Sequence, residues 1–226
     1  MENGSLASEL KFTHKGWIMI LETIFQNITE GKAADVVAGV QAALDSGVSP
    51  EEILNKAMIA AMDKVGQLFE GGDLFVPEML FAARAMQAGL NLLKPHLAEA
   101  DVQSAGTVAV GTVKGDLHDI GKNLVAMMLE GTGFEIIDLG KDVDPAKFAE
   151  AVRNGANVVG MSAMLTTTMG RMAEVIEAIE DINMRDKAKI IIGGAPVTPE
   201  YAKQIGADGY AADASSAVEI VRELLG

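Results

Sequence analysis

Between about residue 15 and residue 98, apolar residues recur at helical spacing. Trp17, Leu21, Ile24, Phe25 and Ile28 form one stripe, and Val36, Val37, Val40 and Leu44 form a second. A third runs through Ile53/Leu54, Ala57/Met58, Ala61/Met62, Val65 and Leu68/Phe69. The fourth takes in Met79, Leu80, Ala83, Met86, Leu90 and Leu93. Ser49-Pro50-Glu51-Glu52 is a helix start, with Ser49 suited to the N-cap, Pro50 to the first helical position and Glu52 to closing a capping box. Gly71-Gly72-Asp73 separates the third helix from the fourth, and Pro95 is expected to end the fourth. Four short helices with short connections predict a small bundle over residues 13–97.

After about residue 104 the rhythm changes. Short β-branched runs, TVAVGTV (107–113), FEIIDL (134–139), NVVGMS (157–162) and KIIIGG (189–194), alternate with helical stretches. Asp144-Pro145, Thr198-Pro199-Glu200 and Asp213 mark helix starts, and a weaker strand, DGYA (208–211), precedes the last helix. Apolar strands alternating with helices predict βαβ units around a parallel sheet. The expected fold class is α/β, with the helical bundle followed by a flavodoxin-like (Rossmann-type) five-stranded parallel sheet over residues 104–226. The polar, small-residue stretch between Lys94 and Gly106 reads as the link between the two halves.

Composition narrows the function. No run approaches the ~20 apolar residues that span a bilayer. The start MENGSLASELKF lacks the basic and apolar regions of a secretory signal. There is no cysteine, which excludes disulfides and thiolate metal sites. A soluble, cytoplasmic protein is expected, with no membrane partner. The balance of 18 basic and 32 acidic side chains leaves a net charge of −14, which repels phosphate backbones, so no nucleic-acid partner is expected. Thirteen methionines and few aromatics imply cores filled by Met, Ile, Leu, Val and Ala.

The candidate chemistry lies at the strand ends. In an open parallel sheet, ligands bind beyond the carboxyl ends of the strands. Three glycine- or hydroxyl-rich loops fall there: KGDLHDIG after the first strand, SAMLTTTM (162–169) after the third and GGAPVT (193–198) after the fourth. A P-loop needs glycine five residues before its Gly-Lys pair and Ser/Thr after it, but Asp116 and Asn123 stand at those positions. A GxGxxG fingerprint fails too, because Gly111 and Gly115 are spaced wrongly. An aspartate two residues before a histidine can accept one ring N–H and leave the opposite nitrogen free for a metal. One histidine cannot hold a bare ion, since His14 and His96 belong to the other half, but it can ligate a metal already caged by a macrocycle. The same residues also suit a histidine hydrogen-bonded within its loop, with Asp119 as the helix N-cap.

Asp116-x-His118-x-x-Gly121, followed by Ser162 and then Gly193-Gly194, resembles the base-off/His-on cobalamin-binding fingerprint Asp-x-His-x-x-Gly…Ser-x-Leu…Gly-Gly. The helical half is similar to the cap module that precedes this domain in methionine synthase. Together, over about residues 15–225, they resemble the corrinoid proteins of three-component methyltransferase systems, which handle methanol, methylamines, methoxyaryl compounds or betaines. One departure is Ser162-Ala163-Met164, with Leu165 one position late; Met and Leu have near-equal volume, so the pocket should survive.

The resemblance implies that the benzimidazole base of the cofactor swings away and threads into the α/β domain as a tail. His118 would replace it as the lower cobalt ligand, Asp116 would accept the other ring N–H, and Thr168 would extend that relay. Ser162, Gly193 and Gly194 would line the slot for the tail. Gly115 and Thr166 would touch the corrin, and Leu117, Asp119, Ile120, Gly121, Met164 and Leu165 complete the expected contacts. Phe69, Val76 and Met79 would form an apolar lid over the methyl group, although by periodicity alone they are bundle core.

The implied function is a methyl carrier. Co(I) accepts a methyl group from a donor-specific methyltransferase, and methyl-Co(III) passes it to an acceptor methyltransferase acting on a thiol or pterin. A reductive activase is a further implied partner, and the linker would let the helical cap swing aside for these partners. No acid/base pair or nucleophile for donor cleavage is evident, so no catalysis by this chain alone is expected. Two rivals stay open: a cobalamin-dependent sensor and a subunit of an adenosylcobalamin mutase.

Overall fold

In the computed structural model, which describes residues 14–100, 102 and 104–226, all four apolar stripes are helical. Residue 13, the expected start of the bundle, lies outside the described residues. Helix α1 (His14–Thr29) is tied to the end of α2 (Ala33–Asp45) by the Trp17 indole N–H, which donates to the Ser46 carbonyl at 3.0 Å. Val36, Val40 and Ala43 are buried on α2, whereas Val37 falls off the stripe and is exposed.

The third stripe is a helical rod of three parts: α3 (Pro50–Glu52), a π-helical segment (Ile53–Ile59) and α4 (Ala60–Glu70). Ser49 caps it, accepting the Glu52 N–H at 3.2 Å. The π-helical segment has a cause in the sequence. Its buried pairs, Ile53/Leu54, Ala57/Met58, Ala61/Met62 and Val65/Gly66, repeat every four residues. An α-helix of 3.6 residues per turn makes such a stripe drift one way, and a π-turn, bonded i→i+5, makes it drift the other. Joining the two keeps the stripe on one face.

Helix α5 (Val76–Glu99) does not stop at Pro95, as the sequence had suggested, but continues for another turn. Proline removes one N–H, and the Asn91 carbonyl loses its partner. Both residues lie on the exposed side of the helix, where water can serve that carbonyl. The α5 start is capped by Glu78, whose carboxylate accepts the Phe75 N–H at 3.1 Å. Among the described residues no helix is long and apolar enough to cross a membrane.

The chain divides into two compact units between residues 103 and 104. The second is an α/β unit: β1 (Thr107–Val113), α6 (Ile120–Gly131), β2 (Glu135–Val143), α7 (Pro145–Arg153), β3 (Val158–Ser162), α8 (Thr166–Met169), α9 (Arg171–Asp181), β4 (Lys189–Gly193), α10 (Pro199–Ile205), β5 (Gly209–Ala211) and α11 (Ala214–Leu225). All strand pairs are parallel, in the order β2-β1-β3-β4-β5. This is the doubly wound order in which the chain reverses direction beside β1 and leaves a crevice at the strand carboxyl ends. The expected five strands and the flavodoxin-like class are present. Asp144, Thr198 and Asp213 cap their helices, accepting the Ala146, Tyr201 and Ser216 N–H groups.

One sheet face packs Val159, Met161, Ile190 and Ile192 against Phe148 and Val152 of α7 and Met172, Val175 and Ile179 of α9. Strand β2 departs from the pattern. The expected strand ends at residue 139, but the observed one runs on to Val143, with register irregularities opposite Val110/Gly111 and Gly111/Val113. Its polar tail, LGKDV, fits because β2 is an edge strand and bulges turn polar side chains outward.

Phe148 is fully buried in this core. Phe148→Ala should lower the stability of the α/β unit by about 3–5 kcal/mol, through lost transfer energy and a residual cavity, as measured by urea unfolding.

Candidate functional site

The last residues of β1 set up the site. Thr112 is fully buried, and its hydroxyl donates to the His118 carbonyl at 2.9 Å. The chain turns at Gly115, whose φ of +82° favours glycine. The Asp116 N–H then returns to the Val113 carbonyl at 3.1 Å.

Two segments converge on the Asp116 carboxylate, which is fully buried. Oδ1 accepts the His118 backbone N–H at 3.1 Å and pairs with His118 Nδ1 at 2.7 Å. Oδ2 accepts the Met164 N–H at 2.7 Å, the Leu165 N–H at 3.3 Å and the Thr168 hydroxyl at 2.7 Å. Burial by itself would push this carboxyl up. The hydrogen bonds from Met164, Thr168 and His118 outweigh it and hold Asp116 well below the usual carboxylate range. An ionised carboxylate only accepts, so the proton in the short contact is carried by Nδ1. The opposite ring nitrogen, Nε2, points away from the carboxylate, and the imidazole side chain is 56% exposed. Asp116 thus joins His118 and Thr168 through one hydrogen-bonded carboxylate.

The rim is unusual for a soluble surface. Leu117, Ile120 at the start of α6, and Met164 and Leu165 on the loop after β3 are 42–78% exposed. Single exposed apolar residues are ordinary, but four on two adjoining segments mark a binding surface. Gly121 adds to this. Its backbone φ is not in the left-handed region, and a Cβ there would meet nothing within 4 Å. Neither local conformation nor packing demands glycine, and the position borders open space beside the imidazole loop. Among the described residues no group of three or more His, Asp or Glu side chains could hold a metal ion. A single outward nitrogen, an apolar rim and open space at Gly121 fit a flat macrocycle that brings its own metal.

The other expected site residues are placed as follows. Ser162 ends β3, level with Thr112 on one side and Gly193 on the other. A Cβ on Gly193 would lie 2.7 Å from the Ala211 carbonyl oxygen, and one on Gly194 (φ +124°) would lie 1.9 Å from that of Ala163. The sequence reading gave these glycines the task of leaving a slot open; the structure requires them because backbones pass too close for any side chain. Thr166 is exposed at the start of α8. Asp119 takes the N-cap position of α6 but makes no side-chain cap bond, and its carboxylate lies 3.6 Å from Lys141. In the helical unit, Phe69 is half-buried and Val76 exposed, while Met79 is fully buried, as its place in the apolar stripe leads one to expect.

Two residues of the site were missed. Thr112 was signalled by a hydroxyl inside an otherwise apolar strand. Asp142 lay beyond the expected end of β2. Its carboxylate accepts the Gly115 N–H at 2.8 Å and lies 3.7 Å from Lys114 Nζ, and its backbone N–H donates to the Asp116 carbonyl at 3.0 Å. The Gly115 N–H, with help from Lys114, holds the Asp142 carboxyl below its usual range.

The depressed Asp116 value has a signed consequence for the cofactor-free protein. At neutral pH both folded and unfolded carboxylates are ionised, and the stabilisation is fully present. As pH falls through the unfolded value of ~3.9, the unfolded chain binds a proton that the folded chain does not, and stability declines. Asp116→Asn should lose about 1–3 kcal/mol at pH 7 by facing donors with an NH2 group, and should show a shallower acid loss, as read from urea midpoints at pH 7 and pH 3.5.

Comparison with known proteins agrees with this geometry. Residues 106–219 and residues 20–94 each match a family model described as a B12 binding domain. The chain is 41% identical over 208 residues to dimethylamine corrinoid protein 2 of Methanosarcina acetivorans, covering 91% of this chain and 96% of that one. It is 42% identical over 186 residues to the trimethylamine corrinoid protein of Methanosarcina barkeri, covering 81% and 86%. A chain of the methanol:cobalamin methyltransferase complex from Methanosarcina barkeri superposes with a TM-score of 0.82 at 31% identity, covering 92% of this chain and 80% of that one. A chain whose outward imidazole is backed by a buried carboxylate, and which matches these proteins over most of its length, belongs to the family of B12-binding corrinoid proteins of methyltransferase systems.

Proposed function

We propose that this protein is a methyl carrier that binds its corrinoid base-off/His-on, with His118 Nε2 as the side-chain ligand that would hold the cobalt. The observation that carries the reading is the Asp116 carboxylate, which spends one oxygen on His118 Nδ1 and the other on Met164, Leu165 and Thr168. This fixes the tautomer and aims Nε2 outward, as second-shell carboxylates do for metal-bound imidazoles.

When bound, the corrinoid supplies a cobalt centre able to take up a methyl group and give it away. The residues of this chain do the rest. His118 would offer Nε2 to the metal, and Asp116 and Thr168 would hold or yield a proton at Nδ1. Leu117, Ile120, Met164 and Leu165 cover apolar parts of the macrocycle and keep water from the ligand bond. Ser162, Gly193 and Gly194 border the path of the nucleotide tail. The partners are a donor-specific methyltransferase and an acceptor methyltransferase acting on a thiol or pterin, with a reductive activase that restores the carrier after oxidation. Selection of the donor would fall to the partner, since what this site presents is one outward imidazole within an apolar rim.

Electron paramagnetic resonance of the Co(II) form tests the ligand. Protein grown with 15N-histidine and loaded with ordinary cobalamin should show its axial nitrogen splitting change from three lines to two. His118→Ala should lose that change while circular dichroism stays that of the parent. A three-line pattern insensitive to the label would mean that the cofactor's own base is bound and would refute the His-on reading.

The carrier role is tested separately. With the cobalt reduced, dimethylamine, trimethylamine and methanol are each supplied together with a cognate methyltransferase. At least one should convert the Co(I) absorption spectrum to that of the methylated cofactor, and no conversion should occur when the methyltransferase is omitted.

A further inference from the structure

We propose that Asp142 is a positioning residue for His118, acting from the bulged end of β2 on the turn that carries the ligand; this rests on the His-on reading above. Asp142 lies on a different strand from the ligand loop, yet it grips both residues at its base. Its carboxylate takes the Gly115 N–H at 2.8 Å, and its own N–H is given to the Asp116 carbonyl at 3.0 Å. The two contacts hold the peptide groups on either side of the Gly115–Asp116 linkage, and so limit the direction from which the Asp116 carboxylate meets His118.

The local backbone has been bent to allow this. Asp142 stands at φ +54°, a region that aspartate tolerates better than most side chains and that glycine adopts freely. The register of β1 and β2 shifts between Asp138 and Gly140 and again between Gly140 and Val143, and the second shift contains Asp142. The shifts are further secured by Asp138, whose Oδ1 accepts the Gly140 N–H at 2.8 Å and pairs at 2.5 Å with Lys122, a buried cation on α6. Bulges of this kind re-aim side chains beside binding sites. The β2 end thus braces the ligand loop from one side, as Met164, Leu165 and Thr168 brace the Asp116 carboxylate from the other.

The test separates the side-chain bond from the backbone geometry and from general stability. Asp142→Gly keeps the left-handed backbone and removes the acceptor; Asp142→Asn keeps an acceptor oxygen. Each is made in the full-length parent and in His118→Ala, and cobalamin dissociation constants are measured together with the 15N-histidine spectrum of the Co(II) form. Loss of an outer-shell partner of a metal ligand weakens binding by about 10-fold or more. Asp142→Gly should therefore bind cobalamin about 10-fold more weakly than the parent and show a reduced fraction of histidine-coordinated Co(II). Asp142→Asn should stay within about 2-fold of the parent. In the His118→Ala background, Asp142→Gly should change affinity less than about 2-fold. An equal loss in both backgrounds would make Asp142 a structural residue only and overturn the proposal, as would a parental constant and spectrum for Asp142→Gly. A parent whose spectrum ignores the histidine label would instead overturn the ligand assignment itself, and this inference with it.

Discussion

One buried carboxylate organises the α/β unit's binding edge. A lone ionised aspartate removed from water is strongly unfavourable, and it persists only when hydrogen bonds replace its hydration. Asp116 meets that requirement with five donors drawn from its own loop and from the loop after β3. The dependence runs both ways. The Met164 and Leu165 N–H groups find their acceptor in Asp116, so the β3 loop takes the shape it has because that charge is there. His118 is held by the same atom that receives its backbone N–H, which limits both the position and the rotation of the imidazole.

The sheet explains why this can be built at one place. Thr112, Ser162, Gly193 and Ala211 stand level across β1, β3, β4 and β5. Loops leaving from that row start close together, and the Gly193 and Gly194 backbones come closer to their neighbours than any side chain would permit. Two sequence-distant segments, around residues 116 and 164, then need only a few residues each to meet. Rigid strands supply the position, and the loops supply the chemistry.

Much of this was legible in the sequence, and the misses share a cause. Strands such as TVAVGTV are buried on both faces, so their composition alone marks them, and β1 spans the residues expected. Asp116, His118 and Thr168 came from a spacing motif, and the structure places them in hydrogen-bond contact. What failed were inferences in which one residue type has two physical outcomes. Pro95 can end a helix or ride on its exposed side, and only the surroundings of Asn91 decide. Gly193 and Gly194 read in the sequence only as a slot, and the close approach of backbones that also demands glycine there is visible only once the neighbouring strand and loop are placed. The tail of β2 carries Lys141 and Asp142, polar residues that a central strand would exclude and an edge strand accepts; without the strand order no rule extends it. The four-residue repeat of the third stripe was visible, but its meaning needed the comparison with 3.6 residues per turn. Met79 reads as lid from the resemblance and as bundle core from periodicity, and it is fully buried.

The rim around His118 makes sense only when something covers it. Leu117, Ile120, Met164 and Leu165 leave apolar surface in water, and burying such side chains is worth ~25 cal/mol per Å². A partner that engages Nε2 at its centre and these four residues at its edge collects both gains from one docking event. Anything that binds the folded chain and not the unfolded one also stabilises it, in proportion to the logarithm of ligand concentration over its dissociation constant. The fold therefore does not need the rim buried to stand, because Asp116 and its donors already organise the loops in the free protein. Preorganisation of this kind leaves little ordering to be done on binding, so the affinity of a single nitrogen ligand is not consumed by loop entropy. A site that presents a single outward imidazole within an apolar rim can hold a ligand firmly for that reason.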